Sequence, residues 1–281
     1  MSDPCVYFAS SCMRFVTANR RHVHIWSLET LVCECTFTEP KGEVAIVTLS
    51  SDGRCLASYW HGYSSCEADT VRVWIVEKGL EVTFVHGLGR VTDMCFSPDG
   101  NRLATISCLN IASVWNRATG VCEFRFSPNS LVRVAVGEYS WERTIRARNS
   151  VSFSLDGNRV ATTCPSSGVL IWRLESGLCE LRLSGHSGFI RMVRFSCDGS
   201  RIATASDDGT AKIWCARSGA CELTINVQCG VVCVGFSSDG RRLVTVGEDN
   251  LVCVWDTSAG AMLFGTDEHL QRVALAVFHQ G

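Results

Sequence analysis

The sequence predicts an all-β chain made of one repeated four-stranded antiparallel unit, and three recurring features predict it. The first is a set of six tryptophans that each end a short apolar run: Trp26, Trp74, Trp115, Trp172, Trp214 and Trp255, spaced by 48, 41, 57, 42 and 41 residues. The second is an Asp-Gly turn after an apolar strand, at Asp52-Gly53, Asp99-Gly100, Asp156-Gly157, Asp198-Gly199 and Asp239-Gly240. Each is followed by an arginine and a β-rich run such as Arg201–Ala205. The third lies seven residues beyond the tryptophan, where Cys33, Cys122, Cys179 and Cys221 stand, each followed by a glutamate. Self-similarity at a fixed period of about 40 residues is the signature of a repeat architecture.

One unit reads as follows. Strand a is Ile190–Phe195, alternating in period two, and the turn Ser196-Cys197-Asp198-Gly199 reverses it, since Asp-Gly suits a tight hairpin. Strand b is Arg201–Ala205, and Ser206-Asp207-Asp208-Gly209 reverses the chain again. Strand c is Ala211–Trp214, and strand d is Cys221–Ile225 after the turn at Ser218-Gly219. In this register the repeated cysteines read as small buried hydrophobes on a strand. Such a meander cannot cover both of its own faces, and stacking copies around an axis buries them. The fold class is therefore all-β, a β-propeller of four-stranded antiparallel blades.

Strands b, c and d are found six times each. Strand a is found seven times, at Val6–Phe8, Val44–Leu49, Val91–Phe96, Val151–Phe153, Ile190–Phe195, Val231–Phe236 and Val273–Phe278. The chain thus reads as six recognisable repeats plus a terminal strand. Residues 1–281 form one propeller domain, either closed by six blades with the last strand in surplus or a piece of a larger propeller.

The period, the Asp-Gly turn and the run Thr210-Ala211-Lys212-Ile213-Trp214 after Asp207-Asp208-Gly209 resemble the WD-repeat family, over about residues 6 to 278. Only Trp255-Asp256 keeps the literal Trp-Asp pair; Ser27, Ile75, Asn116, Arg173 and Cys215 follow the other five tryptophans. The resemblance implies a structural hydrogen-bond network of a histidine before strand a, a hydroxyl on strand b, an aspartate in the b–c turn and the strand-c tryptophan. Only the fifth unit carries all four, as His186, Thr204 or Ser206, Asp208 and Trp214. Asp249 and Trp255 repeat part of it, with Val227 in the histidine's place, and His86 and His269 lie near the histidine position of two other units. The resemblance also implies a non-catalytic protein-interaction scaffold. A substrate receptor of a cullin-type ubiquitin ligase is an alternative, weakened because Cys215 replaces the carboxylate in Trp214-Cys215-Ala216-Arg217. The repeat tail of a larger signalling or enzymatic protein is another.

Composition narrows the function further. Apolar residues make up 46% and charged residues 19%, enough to bury a core and unlike a disordered tail. The formal net charge of −2 gives no general attraction to nucleic acid or to an anionic membrane. The first ten residues lack a basic stretch followed by an apolar run, and no run approaches the ~18 residues of a spanning helix. The expected location is the cytosol, or the nucleus through a partner. The 17 cysteines are odd in number and form no CxxC pair, so neither a secreted disulfide framework nor a zinc site is expected. Gly87-Leu88-Gly89 has no third glycine, and Gly185-His186-Ser187-Gly188 lacks nucleophile-elbow spacing. No catalytic residue, metal ligand or cofactor site is assigned.

Two departures from the period point to a binding surface. A long b–c loop runs from Trp60 to Thr70, and a long d–a loop from Ser127 to Ser150. In a four-stranded blade these two kinds of connection emerge on the same rim. The two tryptophans outside the repeat register, Trp60 and Trp141, fall one in each insertion, with Tyr63, Tyr139, Arg143, Arg146 and Arg148 nearby. Tryptophan, tyrosine and arginine are the types most enriched at binding hot spots, and loops on a rigid scaffold carry binding residues. The alternative is that the two tryptophans cap exposed blade ends. The partners expected are proteins or peptides, an acidic peptide among them.

Overall fold

A computed structural model describes residues 5–8, 14–19, 21–38, 43–61, 70–78, 80–85, 89–127, 149–164 and 168–266. Every regular element among them is a β-strand, and the strands form six four-stranded antiparallel sheets. The first holds β1 (Cys5–Phe8), β2 (Arg14–Ala18), β3 (His22–Ser27) and β4 (Cys33–Thr38), and the second β5 (Glu43–Leu49), β6 (Cys55–His61), β7 (Thr70–Ile75) and β8 (Leu80–Val85). The third holds β9 (Val91–Phe96), β10 (Arg102–Ser107), β11 (Ala112–Asn116) and β12 (Cys122–Phe126), and the fourth β13 (Val151–Phe153), β14 (Arg159–Cys164), β15 (Gly168–Arg173) and β16 (Leu178–Ser184). The fifth holds β17 (Ile190–Phe195), β18 (Arg201–Ser206), β19 (Thr210–Cys215) and β20 (Cys221–Asn226), and the sixth β21 (Val231–Phe236), β22 (Arg242–Gly247), β23 (Val252–Asp256) and β24 (Met262–Gly265). Each unit is a meander whose neighbours in sequence are neighbours in the sheet. This is the architecture of a six-bladed propeller. The seventh strand a, Val273–Phe278, lies outside the described residues. No helix among the described residues is long and apolar enough to cross a membrane.

The core lies between units. From the second unit on, each tryptophan packs on the unit before it: Trp74 on Val23 and Ile25, Trp115 on Ala57, Val71 and Val73, Trp172 on Ala112 and Val114, Trp214 on Val169 and Ile171, and Trp255 on Ala211 and Ile213. Small or β-branched residues on one wall thus receive a large ring from the next, at the close-packed density of protein interiors. Arginines at the start of strand b add a directional link. Arg201 Nη2 donates to the Gly240 carbonyl at 2.7 Å, with its guanidinium 5.7 Å from the Phe236 ring centroid. Arg159 does the same to Ala216 at 2.9 Å and to Phe195. In the second unit Cys55 takes the arginine's place, and Arg117 of the third reaches back to its Sγ at 2.7 Å.

The Asp-Gly turns stand where the sequence puts them, in five-residue a–b loops such as 50–54, 97–101 and 196–200, and the Gly199 amide donates to the Ser196 carbonyl at 2.9 Å. In each, the serine that opens the loop donates its hydroxyl to the aspartate, as Ser97 to Asp99 at 2.5 Å, and the glycine closes it at a φ of 65 to 69°. Only glycine takes that left-handed angle without strain. Two expectations need correction. The repeated cysteines are not buried: Cys33 and Cys122 are half-buried, and Cys179 and Cys221 are exposed. They open strand d, the outermost strand of the blade, next to a bulge opposite the tryptophan. Each thiol there points to the carbonyl two residues on, at 3.3 to 3.6 Å. Finally, Trp60 and Thr70 are not loop residues, because they pair with each other as the last rung of β6 and β7.

Candidate functional site

The fifth unit places its four network residues in one chain of hydrogen bonds. The Trp214 indole N–H donates to Thr204 Oγ1 at 2.9 Å. Thr204 Oγ1 lies 2.7 Å from His186 Nε2, and His186 Nδ1 lies 2.8 Å from Asp208 Oδ2. A carboxylate can only accept, so Nδ1 carries the proton and Nε2 accepts from the threonine hydroxyl. Burial lowers the His186 pKa from its usual value against the pull of Asp208, which keeps the ring neutral. Burial works to raise the Asp208 carboxyl, but Thr210, His186 and the Ser187 amide all donate to it and carry it well below the usual carboxylate range. Every polar atom in this buried chain has a partner, so each bond strengthens its neighbours.

Thr204 is the hydroxyl of the network. Ser206, the other candidate, instead accepts from the Asp208 amide at 3.2 Å and helps shape the b–c turn. The structure also shows what the sequence reading missed: all six repeat tryptophans donate to a strand-b hydroxyl. Trp26 reaches Thr17 at 2.8 Å, Trp74 reaches Ser58 at 3.3 Å, Trp115 reaches Thr105 at 2.9 Å, Trp172 reaches Thr162 at 2.9 Å, and Trp255 reaches Thr245 at 2.8 Å. The signal was present as a Ser or Thr nine or ten residues before each tryptophan, or sixteen before Trp74.

A second polar group joins three units at the inner strands. Asp93 Oδ2 accepts from Ser150 Oγ at 2.7 Å, from the Val151 amide at 3.0 Å and from Arg194 Nη1 at 3.2 Å. Arg194 also donates to Ser150 Oγ and to the Val151 and Val193 carbonyls. Burial disfavours the charge on Arg194, and Asp93 more than restores it. Nearby, burial and then Asp93 push the Cys95 thiol up to about 12. Asp93 and Arg194 stand in different repeats, with no local pattern to pair them.

The rim formed by the b–c and d–a connections exposes apolar side chains among its described residues. Leu109, in the b–c turn of the third unit, is 44% exposed, and Phe189, before strand a of the fifth, is 53% exposed. Beside Phe189, Arg191 bonds Asp207 and approaches Glu248 at 3.6 Å. Of the residues expected to bind a partner, Trp60 lies on β6 with its backbone paired to Val44 and Thr70. Tyr63, Tyr139, Trp141, Arg143, Arg146 and Arg148 lie outside the described residues, as do His86 and His269.

A family model described as WD domain, G-beta repeat (WD40) matches residues 80–116, 177–215 and 219–256. The chain carries WD repeats. Each matched span begins at or just before strand d of one blade and ends with strand c of the next, so the WD repeat in sequence is offset by one strand from the sheet in space. A WD repeat therefore never completes a sheet by itself, and consecutive repeats interlock. WD40 repeats generally mediate protein–protein interaction, and WD-repeat proteins are generally non-catalytic scaffolds. No curated protein matches the chain.

Proposed function

We propose that this WD-repeat chain is a non-catalytic scaffold that holds its principal partner on the rim of the b–c and d–a connections. The observation that carries this reading is the placement of the two insertions. Strand β6 ends at His61 and β7 starts at Thr70, while β12 ends at Phe126 and β13 starts at Val151. An antiparallel meander sends b–c and d–a connections out at one end of the sheet, so residues 62–69 and 127–150 leave from the same rim as Leu109 and Phe189. The opposite rim exposes Leu31, Val32, Val121, Leu155 and Leu178 on three blades, but its a–b and c–d connections are all four or five residues long and carry no insertion.

Trp60 near the end of β6 and Tyr63, Tyr139 and Trp141 in the insertions supply anchors, and Arg143, Arg146 and Arg148 supply charge, with Glu138 and Glu142 only partly balancing them. An acidic peptide with an apolar anchor complements that set, because guanidinium groups pair bidentately with carboxylates. The cytosol, or the nucleus through a partner, is the compartment this reading supports. Replacing Trp60, Trp141 and Arg146 together by Ala should abolish quantitative capture of the principal partner and leave the melting temperature nearly unchanged. A control carrying Val32→Asp, Val121→Asp and Leu178→Asp on the opposite rim should still bind. Unchanged affinity in the first variant places the site elsewhere.

A further inference from the structure

The six units are unequally covered. Five of them present a fully buried wall to the unit before: Leu56, Leu103, Val160, Ile202 and Leu243 are all 0% exposed, and the hydroxyls that bond the tryptophans are at most 3% exposed. In the first unit the matching Phe15 and Thr17 are only partly buried; Trp26, His22 and His24 line the same wall and are partly buried like Trp74, Arg72 and Thr70 of the second unit. The forward walls show the same break. The residue before the tryptophan on strand c is at most 1% exposed at Ile25, Val73, Val114, Ile171 and Ile213. In the sixth unit the matching Val254 is partly exposed, Val252 with it, and Phe264 on β24 is 59% exposed. In a ring closed by six blades the backward wall of the first unit and the forward wall of the sixth face each other across one seam, and each is incompletely covered.

We propose that the seam is occupied by the chain's own C-terminal segment, residues 267–281, which lies outside the described residues. The segment leaves from the seam itself: the Thr266 amide donates to the Val252 carbonyl and the Val252 amide to Thr266 Oγ1, both at 3.1 Å. Residues 273–278, Val-Ala-Leu-Ala-Val-Phe, contain no polar side chain. A strand of that kind needs cover on both faces, unlike a one-sided strand that alternates. The seam offers an aromatic wall at Trp26 on one side and a β-branched wall at Val252 and Val254 on the other. Length agrees. Residues 267–272 are mostly polar and extend to about 20 Å, whereas crossing a four-stranded sheet from outermost to innermost strand takes about 14 Å. The linker therefore carries the apolar run from the outer edge to the depth of the seam while its charges stay in water. This seam is distinct from the rim proposed for the partner, and neither reading depends on the other.

The test is a photo-crosslink in the full chain. p-Benzoylphenylalanine in place of Phe15, or of His24 should the first variant fail to fold, is irradiated and the tryptic peptides are read by mass spectrometry. Cleavage after Arg272 releases Val273–Gly281, and a crosslink to that peptide is the expected result. The variant Leu275→Asp should reduce its yield about tenfold, because a buried charge opposes seating. A crosslink to Val252–Gly265 would mean that the two walls meet directly. A crosslinked dimer would mean that a second copy fills the seam. Either result, or no crosslink, overturns the proposal.

Discussion

The fifth and third units share a backbone and a tryptophan, yet they secure that tryptophan differently. In both, the indole donates to a fully buried threonine at 2.9 Å. In the fifth, Thr204 passes the bond on to His186 and Asp208. In the third, Leu109 stands where Asp208 would be, and Thr105 reaches only the Ser113 carbonyl at 3.5 Å. The buried Ser113 hydroxyl and the Asn110 side-chain oxygen in that unit have no partner among the described residues. The tryptophan–hydroxyl bond is therefore the common requirement of the blade. The histidine–aspartate extension is an addition that one blade completes and another omits.

Substitution at the shared threonine should separate the two most. Thr204→Val keeps shape but strands both the Trp214 indole and His186, at about 3 kcal/mol, whereas Thr105→Val strands one donor at about 1–2 kcal/mol. Equal losses in denaturant titration would show that the extension contributes nothing. Trp214→Phe and Trp115→Phe should each cost about 1–3 kcal/mol, because each leaves one buried hydroxyl without its donor. The two costs should be similar, because Thr105 gives Trp115 the same kind of acceptor that Thr204 gives Trp214. A loss confined to Trp214 would overturn this expectation. Ser113→Ala should be neutral or slightly stabilising, since it deletes a buried hydroxyl that bonds nothing among the described residues. A loss above about 1 kcal/mol would mean that the hydroxyl has a partner, such as a bound water.

The smallest expected effect is in pH. His186 is held below its usual value of 6.5, so the unfolded chain takes up this proton before the folded one does. Its contribution to stability is complete above about 6.5 and falls away as the pH drops toward the folded value. The carboxylate of Asp198, held at about 2 by the Ser196 and Ser200 hydroxyls instead of 3.8, contributes later, between about 4 and 2. His186→Gln should flatten the melting temperature just below about pH 6.5 and leave the steeper acid limb in place. An unchanged slope would show that the histidine is free to protonate in the fold.

Much of the blade was legible because its determinants are local and repeated. Six tryptophans, five Asp-Gly turns and the alternating runs gave the strand order, the number of units and the identity of the fifth unit's network. The same local logic misjudged the cysteines at the start of strand d. A period-two pattern marks which face a residue shares, but not that the outermost strand is covered by nothing beyond it.

What the sequence determined by itself was the repeat and its chemistry: a tryptophan, a hydroxyl before it, and a turn that only glycine closes. Tertiary structure decided which repeats meet and how. The Asp93–Arg194 pair joins the third and fifth units across more than a hundred residues, and Arg201 finds its acceptor on the next blade rather than its own. Such contacts depend on the stacking of sheets, which sets distances that no spacing along the chain encodes. Stacking also buries every forward wall from the first unit to the fifth and leaves that of the sixth partly open, because a wall is buried only when another sheet lies against it.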